Sequence, residues 1–317
     1  MDARNGTTDR TPPDAGLDRR LNAYRPDLAD AALEGQVTAE RFVTGTPGHI
    51  IRAVTGIHRA PNTASERENE ALAGERVTVF ERRDGWAWVQ LARDGYVGYI
   101  ADEAVGAERP RTPNRIVTAA KTFVYAEPNI KSRVRSAAYL NTMFAAETKP
   151  ADAPDGFVAL ANKRGFIAAQ HVADADAVSG DYANIAQTFC YAPYLWGGVT
   201  HDGIDCSGLV QMSLMAAGIP CPRDTDMQEQ ALGRQVAFEP GEMRRGDLVF
   251  WPRHVGMMLD PSHMIHANAH HMLVAIEPLG IAVERIADAG AQVRSVRRLD
   301  GLSIADPTLK VAGVAAD

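Results

Sequence analysis

The stretch that most constrains this chain runs from Pro193 to Pro220, PYLWGGVTHDGIDCSGLVQMSLMAAGIP. Its second half, Cys206 to Ala217, predicts one helix of about three turns, stopped by Gly218 as C-cap and by Pro220 just beyond. Val210, Leu214 and Ala217 share a face with Cys206, while Leu209, Met212 and Met215 make the other sides apolar as well. A helix that is apolar nearly all round must be buried. Cys206 falls in its first turn, where free backbone N–H groups and the helix dipole favour an anion. The expectation is a lowered thiol pKa and a thiolate. The glycine-rich approach supplies tight turns and lets another molecule come close to the backbone.

At 317 residues the chain exceeds one typical domain, and two or three are expected. A net charge of −7 argues against nucleic acid as the main partner and against a polybasic membrane surface. The three cysteines, Cys190, Cys206 and Cys221, are too few for a disulfide framework and suit a reducing compartment. The first twenty residues lack the apolar core of a secretory signal. No run approaches the roughly 18 apolar residues of a membrane span. The expected location is the cytoplasm.

Residues 1–41 read as a polar and helical arm, with a polar tail over 1–15 and helix-like stretches at Leu17–Tyr24 and Leu28–Leu33. Residues 42–107 read as a small antiparallel β-barrel. Val77–Phe80, Trp86–Leu91 and Tyr96–Ile100 alternate as strands, with the hairpin dipeptides Asp84-Gly85 and Asp94-Gly95 between them. Gly106–Asn114 is a linker. Gly85-Trp86 and Gly95-Tyr96-Val97-Gly98 are echoed by Gly156-Phe157 and Gly165-Phe166-Ile167-Ala168, so a second, related barrel is expected over 115–172. Ala173–Gly180 is a second linker. Residues 181–317 order helices before strands, an α+β pattern. A helix at Tyr182–Tyr191 and the Cys206 helix precede strands at Asp247–Trp251, His254–Leu259, Met264–Ala267, Leu273–Ile276 and Gln292–Leu299.

A thiol nucleophile needs a base, and the base needs a group to orient it. His254 opens one strand, with Gly256 on the same face, and His266 closes Met264-Ile265 on another. A hairpin would bring the two histidines together opposite the Cys206 helix, with His254 as base and His266 as orienter. The residues alone leave two alternatives open. Cys206 could be a buried structural cysteine, or a zinc site could use Cys206, His254, His266 and Cys221, although no CxxC or HExxH spacing supports it.

PYLWGG, GIDCSGLVQ, RRGDLVFW…HVGMML and MIHA, in that order, closely resemble the NlpC-type cysteine peptidases of bacterial cell-wall metabolism, which have a papain-like core. The resemblance spans about residues 180–280. It implies Cys206 as nucleophile, His254 as base, His266 as third catalytic residue, and Tyr194 beside the sulfur, helping the Cys206 N–H hold the oxyanion. The Asp205 and Ser207 flanks of the cysteine and Trp196 would line the substrate groove. Met257, following HVG where the family usually has an aromatic residue or Ile, should alter packing only.

Two SH3-like barrels ahead of such a domain look like γ-D-glutamyl-L-diamino acid endopeptidases of murein recycling. Arg223-Asp224-Thr225 matches that branch's substrate segment, whose aspartate holds the free amino group of an N-terminal L-Ala. Read without the family, Asp224 is a turn or N-cap residue. The branch also implies that Tyr96 of the first barrel walls the site, against ordinary barrel packing. It suggests Glu66 as a second ammonium contact, against a solvated charge. The implied reaction releases L-Ala-γ-D-Glu from short murein peptides without cofactor or metal. Arg223, Arg253 and Arg297-Arg298 are the cations available for a diamino acid's carboxylate. Cys190 and Cys221 read as buried small groups. His201, His263, His270 and His271 read as loop or surface residues, and Asp152 and Asp155 as a solvated loop. Two other functions compete: a peptidoglycan-binding module, and a papain-like amidase or acyltransferase on a different substrate.

Overall fold

The computed structural model describes residues 16–107, 111–147, 149–153, 156–178 and 180–299. The polar tail over 1–15, Asp155, and the last domain beyond 299 lie outside these.

The alternating segments after residue 45 form one seven-stranded antiparallel sheet, ordered Arg67–Leu72, Val54–His58, Val97–Ala101, Trp86–Leu91, Arg76–Arg83, Thr46–Ile50 and Val105–Gly106. Asp84 and Gly85 both take positive φ (50° and 81°), as a two-residue hairpin loop of right-handed twist requires. Asp94-Gly95 does not make a second such turn. The strands stop at Leu91 and resume at Val97, and Asp94 is drawn inward until it is buried.

The helices expected in the arm do not form. Among its described residues there is only one 3₁₀ turn, Ala31–Leu33. Segments this short, interrupted by Pro26, cannot repay helix nucleation. Ala23 and Leu28 instead pack on Phe80, Trp88 and Val97 of the barrel.

Residues 115–174 build a second small β unit, a four-stranded sheet and a three-stranded one around Val117, Val124, Val158, Ile167 and Val172. The sequence echo has a structural counterpart. Phe157–Ala159 pairs with Phe166–Ala168 (Phe157 opposite Ala168), as Trp86–Leu91 pairs with Val97–Ala101 (Trp86 opposite Ala101). The last strand runs to Asp174, so the linker starts later than Ala173.

The third unit begins with α1, Tyr182–Gln187, N-capped by Asp181. It ends short of Tyr191, whose φ is positive. α2 spans Cys206–Ala216, with every residue from Cys206 to Leu214 buried, and Gly218 takes φ 74° just past its end. α3 spans Thr225–Ala231 and α4 Leu279–Asp288; neither was anticipated. The antiparallel sheet is ordered Arg234–Val236, Ser295–Arg298, Leu248–Trp251, His254–Met258, His263–Asn268 and Leu273–Pro278. α2 packs on its His254–Met258 and His263–Asn268 strands. Leu209, Val210, Met212 and Leu214 share a core with Phe250, Val255, Met257 and Ile265, and each such side chain contributes roughly 1.5–3 kcal/mol on burial. Met257 is therefore a packing residue. No described helix is long and apolar enough to cross a membrane.

Polar bonds tie the units together. Glu70 of the first barrel accepts the Val199 N–H at 3.0 Å, and Asp94 accepts from Gln211 of α2 at 3.1 Å. Tyr139 of the second unit donates to Asp202 at 2.7 Å.

Candidate active site

Cys206 is the first residue of α2, so its N–H has no carbonyl partner within the helix. Asp205 is the N-cap. It accepts the Gly208 N–H at 2.7 Å and the Gly197 N–H at 2.8 Å, which turns the glycine-rich approach back onto the helix end. Gly208 has to be glycine, because a Cβ there would lie 2.4 Å from the Gly198 carbonyl oxygen. Arg223, fully buried, clamps both Asp205 oxygens (2.9 and 2.6 Å) and also reaches Ser207 Oγ (2.7 Å) and Asn69 Oδ1 (2.9 Å). Arg223 is thus a strut behind Cys206 and does not line the groove, contrary to its expected contact with substrate. The sequence could not separate these roles, since the Asn69 contact comes from the first barrel.

The N–H groups of Val255 and Ser207 point to Cys206 Sγ, yet the thiol is pushed up to about 12, by burial first and by Asp205 second. This reverses the sequence expectation. The helix-terminal field is already met by the Asp205 carboxylate, and burial disfavours a second anion beside it.

His254 precedes Val255, which places it at the sulfur's edge of the sheet. His254 and Gly256 share a strand face. A Cβ on Gly256 would lie 1.9 Å from Met264 Cε and 3.5 Å from His266 Cβ, so the glycine lets the neighbouring strand close in. His254 Nε2 then meets His266 Nδ1 at 2.8 Å, and His266 Nε2 meets Glu277 Oε1 at 2.6 Å. The register pairs Met264 with Glu277 and His266 with Ala275, making Glu277 a diagonal neighbour of His266 on one face. Arg285 of α4 grips the same Glu277 oxygen.

Burial would raise the Glu277 carboxyl, but hydrogen bonds from His266 and Arg285 and the Arg285 charge hold it down at about 2. An ionised Glu277 accepts a hydrogen bond from His266 Nε2–H, leaving Nδ1 of that ring as acceptor. His254 therefore carries its proton on Nε2 and presents Nδ1 as the free base; this tautomer is assigned from the hydrogen-bond network. Burial pulls His254 down to about 3, so the imidazole is neutral, as the thiol is. Glu277 and Arg285 escaped the sequence reading. Glu277 ends an apolar run, and Arg285 lies on the unanticipated α4.

The cysteine opens onto a groove of about 400 Å³. Tyr194, Trp196, Asp205, Ser207, Asp224 and Thr225 all line it, as expected. Burial and the nearby Cys206 and Asp205 push the Tyr194 hydroxyl up, so it stays a donor. Trp196 is exposed, which excludes a core role. Tyr96 lies both in the barrel core, through its ring, and along the groove, where its hydroxyl donates to Asp224 Oδ2 at 3.2 Å. Asp224 sits at the N-cap position of α3, but its side chain does not cap.

Glu66 does not reach the groove. It is solvent-exposed and pairs with Arg59. Glu68, two residues on along the strand, lines the groove and takes the other side of the same guanidinium. Both glutamates have one parity, so strand alternation could not choose between them.

Of the remaining cations named from the sequence, Arg298 is held by Asp247 and Arg297 lies outside the groove. Arg253 lines it, beside His254, with φ 62° in the Trp251–His254 turn and no ion pair among the described residues. Zinc through Cys206 finds no such cluster among these residues. The grouping that does occur is His266, His271 and Glu277, whose His266 nitrogens and Glu277 oxygen are engaged as above, with a guanidinium against the carboxylate. Cys190 is half-buried and Cys221 buried; all three cysteines are free.

A thiol on a buried helix end that opens onto a groove, with an imidazole held through a second histidine on the neighbouring strands, is the set of groups a thiol hydrolase requires. The profile of the NlpC/P60 family matches residues 191–285, enclosing Cys206, His254, His266 and Glu277. This chain carries an NlpC/P60 cysteine-peptidase domain. A profile described as a bacterial dipeptidyl-peptidase SH3 domain matches residues 57–105 of the first barrel. The peptidase is 26% identical to a gamma-D-glutamyl-L-lysine dipeptidyl-peptidase of Bacillus cereus, over 68% of this chain and 72% of that protein. It is 24% identical to dipeptidyl-peptidase 6 of Lysinibacillus sphaericus, over 69% and 86%. Its fold matches a crystal structure of an NlpC/P60 protein from Bacillus cereus with a TM-score of 0.67 at 19% identity, covering 80% of this chain and 99% of that one.

Proposed function

We propose that the peptidase hydrolyses the γ-D-glutamyl bond to a diamino acid in short murein peptides carrying a free N-terminal L-Ala, releasing L-Ala-γ-D-Glu. One observation carries this reading. The groove lined by Cys206 is also lined by Tyr96 and Asp224, whose carboxylate accepts from the Tyr96 hydroxyl, a setting that suits the terminal ammonium of a bound peptide. The dipeptidyl-peptidase names of the relatives point the same way.

In this scheme Cys206 passes its proton to His254 Nδ1 as sulfur attacks the γ-carbonyl carbon. The Cys206 N–H and the Tyr194 hydroxyl take the oxyanion. His254 returns the proton to the leaving amine, then deprotonates the water that cleaves the thioester, regenerating the thiol. His266 and Glu277 hold His254 in the required tautomer throughout. Ser207 and Thr225 face the D-glutamyl residue and Trp196 flanks the scissile bond. Arg253, on the His254 side, suits a carboxylate of the leaving diamino acid.

The second β unit is read as a further SH3-like domain, on the strength of its repeated hairpin. Three free cysteines favour a reducing, cytoplasmic setting, in which the enzyme would recycle soluble murein peptides.

Mass spectrometry of digests tests the reading, using L-Ala-γ-D-Glu-diaminopimelate, its L-Lys counterpart, and N-acetylated versions of both. The expected result is L-Ala-γ-D-Glu from the free-amine peptides alone, with none from Cys206→Ala. Equal turnover of acetylated peptides would point to a different amidase, and sacculus binding without hydrolysis to a binding module.

A further inference from the structure

The arm ahead of the first barrel lies outside both profile-matched regions (57–105 and 191–285), yet it delivers a cation into the groove. The Arg20 carbonyl accepts the Val97 N–H at 2.8 Å, and Gln90 donates to the Leu21 carbonyl at 2.8 Å, so the backbone there is pinned to the barrel. Asp18 braces the guanidinium through Nε and Nη2 (3.1 and 2.7 Å). Its other face meets α3. Nη1 donates to Asp224 Oδ2 at 2.8 Å and to Asp226 Oδ1 at 3.0 Å, and Nη2 donates to Asp226 Oδ2 at 2.7 Å.

Two features separate this from a surface ion pair. Asp224 Oδ2 takes both protein bonds, from Arg20 and from the Tyr96 hydroxyl at 3.2 Å, while Oδ1 takes none among the described residues. In addition, one guanidinium faces three carboxylates, Asp18, Asp224 and Asp226, so Arg20 by itself does not neutralise them.

We infer that Arg20 is a positioning residue for the substrate's terminal ammonium: with Tyr96 it holds Asp224 by one oxygen and leaves the other for the ligand. The inference rests on the ammonium reading of Asp224 proposed above. It adds that an arm 204 residues away in sequence completes the specificity site.

The test compares full-length Arg20→Met, Arg20→Lys and Asp224→Ala on free and N-acetylated L-Ala-γ-D-Glu-L-Lys, with thermal melts to verify folding. Arg20→Met should raise KM for the free peptide about tenfold, the scale of one charge-assisted hydrogen bond, with kcat within about twofold. It should also cut the preference for free over acetylated peptide about tenfold, and Arg20→Lys should restore much of that preference. If Asp224→Ala abolishes the preference and Arg20→Met leaves it intact, the inference about Arg20 is wrong and the ammonium reading stands. If Asp224→Ala leaves the preference intact, the ammonium reading itself fails. A fall in KM for Arg20→Met would overturn the positioning role differently, because the guanidinium would then be a competitor that substrate displaces. Should Arg20→Met not fold, Arg20→Gln, which removes the charge and keeps a polar side chain of similar length, carries the same comparison.

Discussion

Replacing Glu277 by Gln tests the relay behind the base. The substitution keeps the shape of the side chain and an oxygen to accept from His266 Nε2, but removes one negative charge. In the proposed mechanism a positive charge forms on His254. The His254 and His266 ring centroids are 5.0 Å apart and Glu277 lies 2.6 Å beyond His266 Nε2. The lost carboxylate is therefore about 8 Å from the His254 ring, worth roughly 2 kcal/mol at an effective dielectric of about 20. That corresponds to a drop of about 30-fold in kcat. Because Glu277 touches neither groove nor ligand, KM should stay within about twofold. Steady-state hydrolysis of L-Ala-γ-D-Glu-L-Lys, with products separated chromatographically, supplies both constants. The carboxyl is held at about 2, so the deficit should be constant across the neutral range. An unchanged kcat in a folded Glu277→Gln protein, or a loss carried by KM alone, would refute the relay.

The remaining predictions concern the thiol, the second carboxylate and the strut. Cys206 is raised to about 12 and His254 lowered to about 3, so both are neutral between those values and the thiolate fraction grows about tenfold per pH unit above neutrality. Iodoacetamide alkylation of Cys206 should rise steadily with pH up to about 10; a plateau below pH 8 would mean a preformed thiolate–imidazolium pair. Glu68→Gln should raise KM about tenfold, whereas Glu66→Gln should leave it within about twofold; equal effects would remove Glu68 from the groove's chemistry. Arg223→Met strands the buried Asp205 carboxylate and should cost roughly 3–5 kcal/mol, a fall of about 10 °C in Tm. An unchanged melting curve would contradict its role as a strut.

Local physics made much of this protein legible before any coordinates. The all-round apolar run and its Gly218 stop define α2, because burial and helix termination are encoded within a few residues. Asp84-Gly85 specifies its hairpin because few residue pairs tolerate two consecutive positive φ angles. Alternation placed His254 with Gly256, and the order of motifs tied both histidines to Cys206. The helical reading of the arm failed for the complementary reason: its propensities were too weak to outweigh packing on Phe80 and Trp88, which no local pattern records.

What tertiary structure alone decided is everything that depends on who sits opposite whom. Register turned Glu277 toward His266, and α4 brought Arg285 to it. Packing of the first barrel on the third unit put Glu68 in the groove and left Glu66 outside it, and the same approach buried Arg223 against Asn69. Arg20 reached Asp224 from the other end of the chain. The thiol's ionisation followed the same rule, since the sign of a pKa shift is set by burial and by neighbouring charge in three dimensions, and neither is a property of a stretch of sequence.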